Sequence, residues 1–365
     1  MKVIVSVFNN LYTDQRVEKV CESLGKNGYH VILLGNNWGG APEMERSYPY
    51  SRIALKSKIL RYAYLEFQWR LYKELLKKAD KNCILLSNDL DTLLPNYLIS
   101  KKLRIPMVFD SHEIFTEMPA LQRRFTQKIW RILERWVMPN LKYVLTASES
   151  YSDWFVKTYE MARPITVQNF PVKTVNSQNY DEINCPKIIL YQGVINPSRG
   201  LDKIIPAMSE IENAELWIAG DGPQKIALEN LTNSLSLHHK VKFLGKLLPK
   251  KLAEITRKAD VGLSIEENNG LSYYYSMPNK VSDYIQARIP VVVSDFPEMR
   301  KVIDRFQAGE KMSCHDQLAE KIRLVLKNGK LYYKDALNTA ATELCWENEE
   351  PKLLNLFEKV KAENF

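Results

Sequence analysis

Two cationic residues, Arg199 and Lys280, stand where the sequence predicts the beginning of a helix. Free backbone N–H groups at a helix N-terminus favour an anion, and a cation fixed beside them is a typical phosphate ligand. Lys280 lies within residues 276–295, SMPNKVSDYIQARIPVVVSD, between a turn-like segment and an apolar strand. For each cation the residues alone leave two interpretations open, an anion-binding site or an ordinary surface position.

His112 follows a predicted strand in the segment FDSHE, residues 109–113. A histidine at that position can hydrogen-bond a substrate hydroxyl or shuttle a proton, and a core histidine bonded to the backbone is the alternative. Asp89 and Asp91 form a D-x-D pair, a spacing that can hold a divalent metal. We favour a turn or helix-capping role for this pair and expect no metal site.

Glycines follow two predicted strands of the second half. Gly193 comes after the first of them, and Gly220 and Gly222 come after the second in the motif GDGP. Glycine lets the backbone approach a ligand closely, although a plain turn is the alternative. Because the third glycine of a dinucleotide fingerprint is missing, NAD binding is disfavoured.

The composition excludes several other classes of site. The five cysteines include no C-x-x-C pair, and the five histidines are scattered, so neither a disulfide framework nor a zinc site is expected. We expect a reducing, cytoplasmic compartment, and a buried strand rather than a signal peptide at residues 1–8. No apolar run approaches the roughly 20 residues that span a bilayer.

Short aliphatic strands alternate with amphipathic helices throughout the chain and must position these side chains. The predicted strands are residues 3–7, 29–34, 82–87, 106–110, 143–147, 165–168, 187–191, 214–219, 241–244, 261–265 and 291–294. Such alternation predicts parallel sheets covered on both faces, with ligands beyond the carboxyl ends of the strands. The predicted fold class is α/β with two doubly wound domains, separated near the polar segment 169–185.

Positive charge is concentrated in the first half. Residues 1–170 carry 25 Lys and Arg against 17 Asp and Glu, whereas residues 171–365 carry 26 of each. Residues 52–81 and 123–136 are both basic and aromatic, which suits contact with an anionic membrane surface, and solvated helix faces are the alternative. No nucleic-acid motif is present, so we expect no nucleic-acid partner.

In their order along the chain, these motifs resemble the retaining glycosyltransferases of the GT-B fold, family 4. The matching segments are residues 14–17, 28–31, 109–119, 145–150, 168–171, 191–201 (YQGVINPSRGL), 218–223 (IAGDGP), 243–247, 259–264 and 276–298. The resemblance implies two Rossmann-like domains facing across a cleft. Residues 1–172 would take the acceptor and residues 173–346 the nucleotide-sugar, with a helix at 347–365 crossing back to the first domain.

The resemblance also implies an activity, that of a metal-independent hexosyltransferase without a bound cofactor. A UDP- or GDP-linked sugar would be transferred to a glycan or lipid-linked acceptor in surface polysaccharide or glycolipid synthesis, in the cytoplasm or at the inner face of the membrane. Two alternatives stay open. A nucleotide-sugar epimerase of the same fold would need carboxylates as acid and base. A non-catalytic sugar-nucleotide-binding subunit would explain departures from the family pattern at Lys280, Asp283 and Arg288.

Individual site residues follow from the same resemblance. Arg199 would stabilise the leaving diphosphate with Lys280 as the second cation, and His112 would lie beside the transferred sugar. Asp283 would bind the ribose in place of a glutamate. The other implied donor ligands are Gly193, Gly220, Gly222, Gly245, Asn279 and Glu266, for which Glu267 is an alternative. The implied acceptor ligands are Asn9, Asn10, Asp14, Arg16 and Glu113.

Overall fold

The computed structural model describes residues 1–12, 14–40, 43–175 and 185–365. These residues form two units, one of Met1–Asn169 with Glu349–Phe365 and one of Phe170–Asn348. The polar segment expected between the domains falls partly on residues 176–184, which lie outside the described ranges. Among the described residues no helix is both long and apolar enough to cross a bilayer.

The first unit is built on a parallel sheet of seven strands. Its elements are β1 (Lys2–Ser6), α1 (Gln15–Lys26), β2 (His30–Asn36), β3 (Tyr50–Ile53), α2 (Leu60–Lys78), β4 (Cys83–Asn88), α3 (Leu90–Leu103), β5 (Met107–Ser111), α4 (Phe125–Val137), β6 (Tyr143–Thr146), α5 (Glu149–Tyr159) and β7 (Ile165–Thr166). The strand order is β3-β2-β1-β4-β5-β6-β7. The chain therefore changes direction across the sheet between β1 and β4, where ligands bind in doubly wound folds.

The second unit is built on a parallel sheet of six strands. Its elements are β8 (Lys187–Gln192), α6 (Leu201–Ala207), β9 (Ala214–Ala219), α7 (Lys225–Ser234), β10 (Val241–Gly245), α8 (Pro249–Lys258), β11 (Val261–Ser264), α9 (Leu271–Tyr274), α10 (Asn279–Gln286), β12 (Val291–Ser294), α11 (Pro297–Phe306), β13 (Gly309–Met312), α12 (Leu318–Tyr332) and α13 (Lys334–Glu343). The strand order β10-β9-β8-β11-β12-β13 repeats the pattern of the first sheet, with the change of direction between β8 and β11.

The last helix, α14 (Trp346–Asn364), ends in the first unit. There Tyr29 donates a hydrogen bond to Glu358 at 2.6 Å, and its ring lies 5.8 Å from that of Phe357. Tyr143 donates to Glu363 at 2.6 Å. These contacts attach the C-terminal residues to the first unit.

The predicted α/β class, with two parallel-sheet Rossmann-like domains, is confirmed. The aliphatic runs form the central strands, and Val3, Ile4 and Val5 of β1 are completely buried. Two strands, β3 and β13, were missed in the sequence. Both lie at a sheet edge, and their sequences YSRI and GEKM are too polar to show the pattern of a strand that is covered on both faces.

Candidate active site

Glu266, two residues beyond β11, is the centre of an ion-pair cluster in the second unit. The Lys280 ammonium donates to Glu266 Oε1 at 2.7 Å, and Arg199 Nη1 donates to the same oxygen at 3.2 Å. The second carboxylate oxygen accepts from the hydroxyl of Ser264 at 2.7 Å. Two cations thus share one carboxylate, which leaves the cluster with a net positive charge.

The cluster keeps Glu266 ionised although its side chain is buried. Burial alone would raise the pKa of Glu266, but Lys280 and Arg199 lower it to about 2. Burial lowers the pKa of Lys280, and the charge of Glu266 acts against that effect. The carboxylate therefore fixes the position of both cations at neutral pH.

Two tyrosine rings complete the surroundings of the cations. The Lys280 ammonium lies 4.3 Å from the ring centroid of Tyr191, and the Arg199 guanidinium lies 4.3 Å from that of Tyr273. Each geometry is that of a cation–π contact. The Nε atom of Arg199 is buried and has no hydrogen-bond partner among the described residues. Buried donors are nearly always hydrogen-bonded, and a ligand oxygen would provide the missing partner.

The glycines predicted to bind the donor are required at their positions for different structural reasons. A methyl group built on Gly220 would lie 1.8 Å from the carbonyl oxygen of Gly193, and one on Gly222 would lie 2.5 Å from that of Ile195. Gly193 itself has a φ of +135° and lies against Lys280. At Gly245 an added methyl group would meet nothing within 4 Å. Close packing therefore explains Gly220 and Gly222, whereas Gly245 only adopts a left-handed φ of +67°.

Helix α10 carries Lys280 and Asp283 one turn apart. Gln192, the last residue of β8, donates to Asp283 Oδ2 at 3.0 Å and accepts from the Thr256 hydroxyl at 2.8 Å. This pair of bonds fixes the orientation of the half-buried Asp283 carboxylate. Asn279, at the start of α10, is exposed.

In the first unit, His112 follows β5 and lies among three polar side chains. Its Nδ1 is 3.2 Å from Asp89 Oδ2, and its Nε2 is 3.1 Å from Asn88 Oδ1 and 3.5 Å from Asp110 Oδ2. Burial alone would lower the pKa of His112, but Asp89 and Asp110 raise it to about 9. The ring is therefore a cation at neutral pH, which favours hydrogen-bond donation over a role as proton acceptor.

Two models of protein families match this chain, one for each half. The model of Glycosyltransferase Family 4 matches residues 14–174, and the model of Glycosyl transferases group 1 matches residues 172–341. The chain is a family 4 glycosyltransferase of the GT-B fold.

The curated relatives of this glycosyltransferase match it over only part of their length. Alpha-monoglucosyldiacylglycerol synthase of Streptococcus pneumoniae is 23% identical over 239 residues, which cover 60% of this chain and 54% of the relative. Across the curated relatives, the matched stretches cover between 17% and 54% of the relative's length.

Solved structures match over nearly the full length. Sucrose-phosphate synthase from Thermosynechococcus elongatus superposes with a TM-score of 0.78 at 16% identity, covering 100% of both chains. Anabaena HepE in complex with UDP-glucose superposes with a TM-score of 0.73 at 12% identity, covering 98% of this chain and 100% of HepE. At such identities these likenesses establish the fold.

Arg16 is buried near the carboxyl ends of β5 and β7 in the first unit of the glycosyltransferase. Its guanidinium binds both carboxylate oxygens of Asp110, at 3.0 and 2.7 Å, and donates to the carbonyl oxygen of Val167 at 2.5 Å. Both side chains of the ion pair are buried. Although burial raises the pKa of Asp110, Arg16 and His112 hold it below the usual range. Arg16 therefore positions Asp110, and the burial of its guanidinium does not favour direct contact with an acceptor.

Asn9 and Asn10 shape the loop after β1. Asn9 donates to Asp14 and accepts from the backbone N–H of Leu11, while Asn10 accepts from that of Tyr12 and donates to the carbonyl of Gly40. Asp14 also accepts from the N–H of Val17 and so caps α1. Glu113 is half-buried next to His112, and its carbonyl accepts from Ser111.

The D-x-D pair does not cap a helix with its side chains. Asp89 precedes α3 with a φ of 57°, and its carboxylate accepts from the backbone N–H of His112 at 2.8 Å. Asp91 lies inside α3, where burial and the charge of Asp89 raise its pKa. The predicted side-chain cap is wrong, because α3 begins at Leu90, which puts Asp91 inside its first turn, and the Asp89 carboxylate is bonded to His112 instead. Within the described ranges no group of three or more His, Cys, Asp and Glu side chains is placed to hold a metal ion.

Asp110, Tyr191 and Tyr273 were missed as site residues in the sequence. Asp110 lies 94 positions from Arg16, so no local pattern indicates their ion pair. Tyr191 was attributed to the strand alone, and Tyr273 to a lengthened connection. The signal that was available is the position of Asp110 and Tyr191 near the carboxyl ends of β5 and β8.

Proposed function

We propose that the protein transfers a sugar, with retention at the anomeric carbon, from a nucleoside-diphosphate sugar to a glycan or lipid-linked acceptor. The observation that carries this proposal is the cluster of Arg199, Glu266 and Lys280 beside Gly193. Its excess positive charge and its unpartnered Arg199 N–H suit a diphosphate. HepE, which has the same fold, is described in complex with UDP-glucose.

The leaving diphosphate sets the main chemical demand of this reaction. Negative charge builds on its oxygens as the bond to the sugar breaks, and fixed cations in a water-poor site stabilise that charge. Arg199 and Lys280 would supply this stabilisation. The proposed reaction therefore needs neither a metal nor another cofactor. Glu266 would hold the two cations in position before the donor binds, which avoids reorganisation during the reaction.

The remaining site residues have supporting roles in the proposal. Asp283, oriented by Gln192, would accept from the ribose hydroxyls of the donor. His112, charged by Asp89 and Asp110, would donate to a hydroxyl of the transferred sugar. The loop containing Asn9 and Asn10, together with Glu113, would bind the acceptor.

We also propose that α4 places the protein on an anionic membrane, at the inner face, where a lipid-linked acceptor is available. Phe125, Ile129, Ile132 and Trp136 are exposed along one side of α4. The basic residues Arg124, Lys128, Arg131 and Arg135 lie along one edge of this apolar stripe. An exposed apolar stripe beside a row of cations is complementary to a bilayer with acidic head groups.

Product analysis tests the proposed reaction. The protein is incubated with UDP- and GDP-sugars, with and without candidate acceptors, and the products are identified by mass spectrometry and by NMR of the anomeric proton. We expect a glycoside that keeps the anomeric configuration of the donor. A changed sugar nucleotide formed from donor alone would indicate an epimerase, and an inverted product would refute the retaining mechanism.

A further inference from the structure

The connection between β11 and α10 folds over the loop that carries Arg199. Residues 267–275 make up most of this connection and include α9. The backbone N–H of Glu267 donates to the carbonyl oxygen of Ser198 at 3.0 Å, and the Asn269 side chain donates to the Ser198 hydroxyl at 2.7 Å. Both hydrogen bonds end on the residue that immediately precedes Arg199, so residues 267–275 restrain the backbone at that point.

Arg199 itself lies between two residues with a left-handed backbone. The φ angle of Ser198 is +67°, and that of Gly200 is +70°. Glycine adopts this conformation at little cost, whereas another residue keeps it only where its surroundings hold it there. For Ser198, the two hydrogen bonds from residues 267–275 supply part of that support. The direction in which the backbone presents the Arg199 side chain therefore depends on this segment.

Tyr273 restrains the side chain of Arg199. The guanidinium carbon of Arg199 lies 4.3 Å from the ring centroid of Tyr273, while its Nη1 donates to Glu266 at 3.2 Å. A free arginine side chain has many rotamers, and a cation–π contact combined with an ion pair selects few of them. The guanidinium is thus held in place by two partners before any ligand binds.

Tyr273 is held in turn by the packing of α9. The backbone N–H groups of Tyr273 and Tyr274 both donate to the carbonyl oxygen of Gly270 at 3.1 Å, which closes the single turn of this helix. The ring of Tyr274 lies 5.1 Å from that of Phe296, which follows β12. This contact attaches α9 near the carboxyl end of β12, so the Tyr273 ring is carried by a packed element of the second unit.

We propose that residues 267–275 position Arg199 for the leaving diphosphate, with Tyr273 holding the guanidinium and Asn269 holding the backbone. Both are positioning residues, because they act through Arg199. The inference deepens the function proposed above and rests on it, since Arg199 has this task only in a diphosphate site. Cations that are fixed in advance stabilise a developing charge best, because the site does not reorganise during the reaction.

Calorimetric titration with UDP, GDP and ADP tests the role of Tyr273. Tyr273→Leu removes the ring, and we expect it to bind the nucleotide that the wild type prefers about tenfold more weakly. Tyr273→Phe keeps the ring and should stay within about twofold of the wild type. Tyr332→Leu on α12 is the control, because Tyr332 is an exposed tyrosine outside the proposed site. Wild-type affinity in Tyr273→Leu would overturn the role of Tyr273.

A double variant distinguishes positioning from a general structural role of Tyr273. If Tyr273 acts through Arg199, Tyr273→Leu should weaken nucleotide binding by less than about twofold further when Arg199 is already replaced by alanine. The same tenfold loss in the Arg199→Ala background would show that Tyr273 acts independently of Arg199, and it would overturn the inference. Melting temperatures without ligand show whether each variant is folded.

Asn269→Ala tests the backbone restraint without changing the ring. This variant loses the hydrogen bond to Ser198, and we expect its affinity for the same nucleotide to fall roughly threefold to fivefold. Unchanged affinity would overturn the role of Asn269. A wild type that binds none of the three nucleotides would overturn the proposed function and this inference with it, whereas variants that bind as tightly as the wild type would overturn this inference alone.

Discussion

At the scale of single residues, the proposed diphosphate site depends on one carboxylate between two cations. Glu266 is buried and bonded to both Lys280 and Arg199, whereas the neighbouring Glu267 accepts from Asn269 near the surface. The sequence left open which of the two glutamates belongs to the site. Burial between two cations distinguishes Glu266 from Glu267. That burial depends on residues distant in the sequence, so the sequence did not indicate it.

Replacement of Lys280 by alanine tests the phosphate-side cation. We expect turnover to fall by about 10²–10³, as for the loss of one oxyanion donor. Because Lys280 is buried in an ion pair, the variant also loses folding stability, which the position of the residue in the sequence did not indicate. Steady-state kinetics corrected for the folded fraction measures the effect. Lys301→Ala, which removes an exposed partner of Glu298, is the control. Equal turnover in both variants would remove Lys280 from the mechanism.

His112 should make stability depend on pH. Its pKa in the folded protein is about 9, above the ordinary value of about 6.5. A raised pKa stabilises the folded state fully below pH 6.5, and this contribution, at most about 3 kcal/mol, is lost as the pH rises through 9. The melting temperature of the wild type should therefore exceed that of His112→Gln at pH 6 and approach it near pH 9.5. A constant difference over this range would contradict the charged state of His112.

At the scale of elements, the proposed donor site depends on two loops that pack backbone against backbone. The loop after β8 contains Gly193, and the loop after β9 contains Gly220 and Gly222. The motif GDGP predicted close backbone approach from the sequence. The structure adds that the two loops contact each other, because neither Gly220 nor Gly222 leaves room for a side chain. A sequence motif shows that glycine is needed at a position, but it does not show which neighbouring atom would clash with a side chain there.

Gly220→Ala tests this packing. The added methyl group would overlap the Gly193 carbonyl at 1.8 Å, so we expect the loops to separate and UDP-induced stabilisation to be lost. Gly25→Ala is the control, since Gly25 lies in α1 with nothing within 4 Å of an added methyl group. It should be neutral or stabilising by roughly 0.5–1 kcal/mol. Differential scanning fluorimetry with and without UDP distinguishes them, and a normal UDP effect in Gly220→Ala would contradict the packing argument.

Helix α4 provides a second test at this scale. The double replacement I129S/I132S removes apolar surface from the centre of the stripe, and we expect co-sedimentation with phosphatidylglycerol vesicles to weaken at least about tenfold. L324S/L331S on α12 is the matched control, because Leu324 and Leu331 are also exposed. Binding that is the same for neutral and anionic vesicles would contradict the role of the flanking cations.

At the scale of the whole molecule, the alternation of strands and helices was sufficient to predict two parallel-sheet domains. Aliphatic strands covered on both faces have a local signature, so all the central strands were found, whereas the polar edge strands β3 and β13 were not. Family motifs indicated most of the candidate site residues. The partners of those residues, such as Asp110 for Arg16, depend on contacts across the fold and had no local signal.

The uneven charge also belongs to this scale. The excess of Lys and Arg lies in residues 1–170, where the basic helices α2 and α4 contribute to it. In the second unit, by contrast, the cations proposed to bind the diphosphate are Arg199 and Lys280, and the buried Glu266 carboxylate holds both. A diffuse positive surface suits a membrane, and a small fixed cluster suits a diphosphate.

The most direct test of the central claim is nucleotide binding by the second unit. Melting temperatures of the wild type, Arg199→Ala and Lys280→Ala are measured with and without UDP, GDP and ADP, and the ligand-induced shift is compared for each protein. The account predicts that at least one nucleoside diphosphate stabilises the wild type and that both variants lose most of this shift. A wild type that none of the three stabilises, or variants that keep the full shift, would contradict it.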